Sequence, residues 1–132
     1  MTLESLMKHA DENAKSRVRR TTGYPVKIAK IKHKDKPVSL AIDVYEEPKN
    51  CHFKDTTYWL PVYIPEEKRM YLIYSDAKKG YKVSKHTSAT IGRIGFSNAE
   101  LLAALCEVSK DKFMFFNWKW DNECARPYIE IN

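Results

Sequence analysis

The side chains of this chain best suited to chemistry are cations, and they are gathered at one end. Ten lysines and arginines fall between Lys8 and Lys36 among only three acids, whereas beyond Lys36 thirteen basic residues face thirteen acidic ones. The net charge of +6 is therefore carried by the amino-terminal quarter of the chain. Within it Lys15, Arg17, Arg19 and Arg20, then Lys27, Lys30, Lys32 and Lys34, are expected to form a positive ridge running from a helix end along a strand into a turn. Such a ridge attracts phosphates irrespective of base sequence, and arginine adds bidentate contacts. A nucleic acid is the expected partner, with an acidic protein as the alternative. The same residues have competing structural uses. Cations at a helix C-terminus offset its dipole, and lysines on an edge strand discourage aggregation.

Other constellations are weaker. Trp59, Tyr63, Tyr71, Phe116, Trp118 and Trp120 would stack bases if a sheet left one face open, but core packing accounts for rings of this size as well. Asp43 followed by Glu47-Pro48-Lys49 has the letters of a metal-dependent nuclease motif, in which carboxylates hold Mg²⁺ and a lysine steadies the phosphate. Pro48 would interrupt the strand that chemistry needs, and Asp43 and Glu47 are too close to occupy adjacent strands. Cys51 and His52 are adjacent, so on a strand they point to opposite faces and make no nucleophile and base pair. His86 has no acid spaced to orient it, and His9, His33, His52 and His86 are too scattered for a metal. Gly92-Arg-Ile-Gly95 is too sparse for a phosphate loop, although it precedes a helix N-terminus. No catalytic residues, no metal and no cofactor are expected.

The elements that must position these side chains fit one α+β domain spanning 1–132, a length that gives one ordinary core rather than two. Apolar residues make up 43% and charged residues 30%, which excludes global disorder. No apolar run approaches the roughly 18 residues of a membrane helix, and the first residues lack the pattern of a secretory signal. Cys51, Cys106 and Cys124 are odd in number and widely spaced, which points to a reducing, cytoplasmic setting without disulfides.

Leu3, Leu6, Met7, Ala10, Ala14 and Val18 recur at helical spacing, predicting an amphipathic helix from Thr2 to about Arg19 with Thr2 as its cap. Strands are expected over 24–32 and 38–45, the first with mixed parity that implies a bulge or burial on both faces. The runs 57–64, 69–75 and 81–91 are joined by short turns and predict an antiparallel meander, its middle strand central because both parities are apolar. Pro61 requires a bulge or an outward-facing position on the first of them. Gly92 and Gly95 read as an irregular corner. Ser97-Asn-Ala-Glu100 reads as a capping box opening a helix over 98–110, with Leu101, Leu102, Leu105 and Val108 on its buried side. Strands over 112–120 and 126–131 complete the order α-β-β-β-β-β-α-β-β, a mainly antiparallel sheet of about six to seven strands with two helices on one face.

The expected function is that of a small non-enzymatic binding protein using its basic amino-terminal surface on nucleic acid. The alternative is a protein-interaction module, such as a phage-like or mobile-element inhibitor or an immunity protein, binding an acidic partner. No membrane partner is expected. A nucleic-acid binder should place cations and aromatic rings on a shared surface, whereas a protein binder needs an exposed apolar centre with a polar rim.

Overall fold

Period-two alternation of apolar side chains, carried by β-branched and aromatic residues, divides most of the chain into strands. The computed structural model describes residues 2–7, 23–49, 51–75, 79–85 and 90–132. Residues 3–7 are helical and form α1, and the Thr2 Oγ1 accepts the Ser5 N–H at 3.2 Å, the expected cap. The rest of the predicted amino-terminal helix lies outside the described residues. Leu3, Leu6 and Met7 are exposed, so this part of the helix does not cover a sheet as expected.

The strands that follow are β1 (Val26–Ile31), β2 (Ser39–Val44), β3 (Tyr58–Ile64), β4 (Arg69–Ser75), β5 (Tyr81–Lys82) and β6 (Gly92–Phe96). After α2 (Ala99–Val108) come β7 (Phe113–Phe116), β8 (Lys119–Asp121) and β9 (Arg126–Glu130). The chain is a single α+β domain whose nine described strands form two antiparallel sheets, ordered β6-β2-β1-β7 and β5-β3-β4-β9-β8. One sheet of six or seven strands was too simple. The predicted runs over 81–91 and 112–120 are longer than the usual five or six residues of a strand, and neither forms one continuous strand. Among its described residues the first supplies only β5, and the glycines read as a corner lie within β6. The second breaks at Asn117 and Trp118 into β7 of one sheet and β8 of the other.

The meander is also rearranged. β3 pairs with β4 as expected, but β5 returns to β3 rather than to β4, and β9 takes the place beside β4. β4 is central, as its two apolar parities require. β1 pairs with β2 without a bulge from Val26↔Val44 to Ile31↔Ser39, so its mixed parity reflects burial on both faces, Ala29 included. Pro61 lies on β3 beyond the two residues that pair with β5, where a missing N–H costs that ladder nothing.

The sheets are joined at both sides. Ser84, just past β5, exchanges backbone hydrogen bonds of 2.9 and 2.7 Å with Arg93 on β6, while the chain itself carries β7 into β8. Between the sheets lies a core of Ile28, Leu40 and Ile42 from one and Trp59, Met70, Leu72 and Ile129 from the other, with Leu101 and Leu105 of α2. Gly92 shows how closely the two halves meet: a Cβ there would come within 2.9 Å of Trp59 Cη2 and closer still to Val83 Cγ1. The helix is capped one residue later than predicted. Asn98 Oδ1 accepts the Leu101 N–H at 3.0 Å, and asparagine caps as well as serine. No helix among the described residues is long and apolar enough to cross a membrane.

Candidate functional site

Strand alternation decides which of the amino-terminal cations reach solvent. Lys27 and Lys30 are three residues apart on β1 and so point to opposite faces. Lys30 faces inward with 9% exposure, and its Nζ donates to Ser109 O at 2.5 Å. It thereby satisfies a carbonyl at the C-terminal end of α2, where a cation also offsets the helix dipole. Lys27 points outward but is largely covered. Its Nζ lies 3.7 Å from Asp43 Oδ2 and 4.9 Å from the centroid of the Phe113 ring. Lys32 and Lys34 are exposed on the β1–β2 turn. Lys15, Arg17, Arg19 and Arg20 lie outside the described residues.

The connection from α2 to β7 brings further cations to that turn. The Lys30 N–H donates to Lys112 O at 2.9 Å, which fixes residues 110–112 beside the end of β1. Lys32, Lys34 and Lys36 on the turn and Lys110 and Lys112 on the connection are all exposed, with Asp35 and Asp111 among them. Among the described residues none of these five lysines takes part in an ion pair. Lys110 and Lys112 belong to the charge-balanced part of the sequence and were missed there. Only the pairing of β7 with β1 assigns them to this surface.

Exposed aromatic rings lie on the outward face of the first sheet. On β7, Met114 and Phe116 point into the core, while Phe113 and Phe115 point outward with 47% and 36% exposure. Tyr24, immediately before β1, is 46% exposed, and its ring centroid lies 5.9 Å from that of Phe115. Lys112 Nζ lies 5.3 Å from the Phe113 centroid on top of the Lys27 contact, within the roughly 6 Å reach of a cation–π interaction. The cross-strand row runs on inward from Phe115 to Lys27, Asp43 and Arg93. Asp43 is fully buried there and accepts a bidentate pair from Arg93, Nε to Oδ1 at 2.6 Å and the second nitrogen to Oδ2 at 2.9 Å.

The other candidates resolve differently. Trp59 and Phe116 are core, and Trp118 stacks on Phe53 with centroids 5.7 Å apart while its Nε1–H donates to Glu46 O at 2.8 Å. Trp120 is exposed beside a pocket of about 420 Å³ formed with Pro48, Lys49, Trp118 and Lys119. Asp43 is occupied by Arg93, and Glu47 Oε1 accepts the Lys54 N–H at 2.5 Å, so the two carboxylates of the nuclease-like letters serve different elements. Cys51 is buried and its thiol is pushed up chiefly by desolvation, then by Glu47, while His52 is exposed. His33 Nε2 and Ser39 Oγ are 2.8 Å apart across the β1–β2 turn. His86 lies outside the described residues. Among the described residues no group of three His, Cys, Asp or Glu side chains is placed to hold a metal.

On the second sheet, Tyr63 and Tyr71 are half-buried. The Tyr71 O–H donates to Asp121 Oδ2 at 2.7 Å and Arg69 donates to the same oxygen at 3.3 Å, while Lys119 Nζ donates to Glu130 Oε2 at 2.6 Å. The Asp121 bond pushes Tyr71 up to about 12, and the same bond holds Asp121 below its ordinary value. The bond from Lys119 lowers Glu130 likewise. Lowered carboxyl groups contribute stability that is present above their ordinary values of 3.8 and 4.5 and is lost as pH falls through the folded values. A raised tyrosine contributes stability that is present below its ordinary value of 10.0 and is lost between there and about 12. Urea midpoints measured against pH should therefore fall on both flanks. Tyr71→Phe should reduce the loss on the alkaline flank, leaving the shares of Tyr63 and Cys51, which burial raises, and of Lys119, which its bond to Glu130 raises. An unchanged alkaline flank would show that the Tyr71–Asp121 bond does not persist in solution. No family model, curated protein or solved structure matches this chain, so its reading rests on the surface described above.

Proposed function

We propose that this chain is a small non-enzymatic binding protein that grips nucleic acid by its phosphates at the lysine-rich end of the first sheet. The supporting observation is that the register of β7 against β1 brings Lys110 and Lys112 to the end of β1 that leads into the turn carrying Lys32, Lys34 and Lys36, with the exposed Phe113 ring against Lys112. Cations and aromatic rings on a shared surface favour a polyanion carrying planar bases over an acidic protein, whose interface would need an apolar centre free of charge. The predicted role of Lys32 and Lys34 is kept, and Lys15, Arg17, Arg19 and Arg20 extend the same charge in sequence. Lys27 and Lys30 contribute mainly by holding Asp43 and the end of α2.

If the five lysines each neutralise one phosphate, the logarithm of the affinity for a single strand falls with the logarithm of salt at a slope of about −3.5. Raising salt from about 50 to about 200 mM should then weaken binding on the order of a hundredfold. Fluorescence anisotropy of a labelled oligonucleotide measures this. The triple variant Lys32→Glu, Lys34→Glu, Lys110→Glu should abolish retention at the higher salt, and Arg17→Glu, Arg19→Glu, Arg20→Glu tests the sequence-predicted part of the surface. Binding that is indifferent to salt and to both triple variants refutes the reading. Capture of an acidic protein from extract that survives nuclease treatment would favour the protein-interaction alternative.

A further inference from the structure

The rings beside the lysines carry the reading one step further, to the kind of nucleic acid. Among the described residues β7 is paired on one side only, with β1. Along its other edge runs a groove of about 340 Å³ lined by Tyr24, Val108, Asp111, Phe113 and Phe115 among others. That volume lies at the low end of the roughly 300–1,000 Å³ typical of small-ligand sites, a scale suited to planar heterocycles rather than to a folded partner. We propose that this groove takes the bases of single-stranded nucleic acid, stacked on Phe113, Phe115 and Tyr24, with the phosphates directed toward Lys112 and the lysine-rich end. The inference rests on the phosphate-binding reading above.

Three features favour a single strand. Phe113 and Phe115 are two residues apart on one strand face, which separates them by about 6.6 Å. Bases in a duplex follow one another at about 3.4 Å along each strand, so rings at twice that interval suit bases already drawn apart, each with its own platform. Bases inside a duplex also present only their edges in the grooves, and half-exposed rings on a strand could stack on them only after unpairing. Asp111 adds a sign rule to the groove: its carboxylate repels phosphates and accepts hydrogen bonds from base N–H groups, the N3–H of thymine and uracil included, so bases are directed inward and the backbone outward.

Charge separates this occupant from its rivals. An open strand edge beside apolar rings would also accept an extended peptide, or β7 of a second copy of the chain. Lys27 and Lys112 are held against the Phe113 ring, and Lys110 follows the end of α2 nearby. A second copy would bring the same lysines and a net charge of +6 against them, whereas a nucleic acid strand is matched to them along its whole length.

The test uses the full chain and three probes of equal length: a labelled oligothymidylate, an oligouridylate and a DNA duplex, each about a dozen units long, within the roughly 4–16-nucleotide range of single-strand sites. The single strands should bind more tightly than the duplex. Phe113→Ala and Phe115→Ala should each weaken single-strand binding on the order of tenfold while leaving duplex binding and the far-ultraviolet circular dichroism unchanged, because both rings already face solvent. Phe113→Trp should restore or exceed the original affinity. Equal affinity for strand and duplex, or alanine variants that bind as the parent does, overturns the stacking inference and leaves phosphate binding standing. Absence of binding to all three probes overturns the phosphate reading itself. A concentration-dependent dimer that disappears in the Phe113→Ala, Phe115→Ala double variant assigns the groove to a second copy and likewise overturns the inference.

Discussion

Replacing Arg93 by methionine is expected to destabilise the fold by about 3–5 kcal/mol, a large share of the roughly 5–15 kcal/mol that holds a domain of this size together. The reason lies with its partner. Asp43 has no exposed surface and receives two hydrogen bonds from Arg93, at 2.6 and 2.9 Å, with Lys27 more distant at 3.7 Å. Without Arg93 a carboxylate is left inside the sheet with one imperfect counter-ion, and the uncompensated buried charge dominates the cost. Asp43→Asn should cost less, because the Arg93 side chain is part-exposed and can turn toward water. The double variant Asp43→Leu, Arg93→Met should recover much of the loss, since apolar packing replaces such a pair with little penalty. Urea denaturation of the three variants measures the order. A single Arg93→Met variant within about 1 kcal/mol of the parent would show that the pair is hydrated in solution, as exposed ion pairs are.

Trp59→Ala is expected to cost a similar amount, about 3–5 kcal/mol, for a different reason. The ring is fully buried, meets Phe53 edge-on with centroids 5.5 Å apart, and donates from Nε1 to Thr56 Oγ1 at 2.8 Å. It also reaches from β3 of the second sheet to Gly92 on β6 of the first, so its loss opens a cavity where the two sheets close on each other. Trp59→Phe keeps most of the apolar volume and should cost distinctly less, with Thr56 losing a donor near the surface. The same denaturation measurement applies, and equal losses for alanine and phenylalanine would place the cost in the Thr56 hydrogen bond rather than in the cavity.

Much of the secondary structure was legible because its signals are local. The alternation Leu40, Ile42 and Val44 placed β2, the paired apolar parities of 70–74 made β4 central, and Asn98 lies one residue from the predicted cap of α2. The glycines misled for an instructive reason. Gly92 was read for its backbone freedom, whereas its use is the space that a missing Cβ leaves for Trp59 and Val83. The contact with Trp59, more than thirty positions away, leaves no local trace.

The candidate surface was only half legible. Lys32 and Lys34 could be assigned to a turn from sequence, but Lys110 and Lys112 join them only through the pairing of β7 with β1. Phe113-Met-Phe-Phe116 is apolar on both parities, so its composition does not say that Phe113 and Phe115 face out while Met114 and Phe116 face in. The rings chosen from sequence went largely into the core and the second sheet, as their size favours.

By itself, then, the amino-acid sequence determined the α+β class, the antiparallel pairing of near neighbours and the amino-terminal excess of positive charge, because turns, periodicity and net charge are properties of short stretches. The division into two sheets, the burial of Asp43 between Lys27 and Arg93, and the placing of Lys112 and the exposed Phe113 ring beside the end of β1 were decided by tertiary structure. Each depends on strand order and register, and a register is chosen by the packing of the whole core rather than by any one strand.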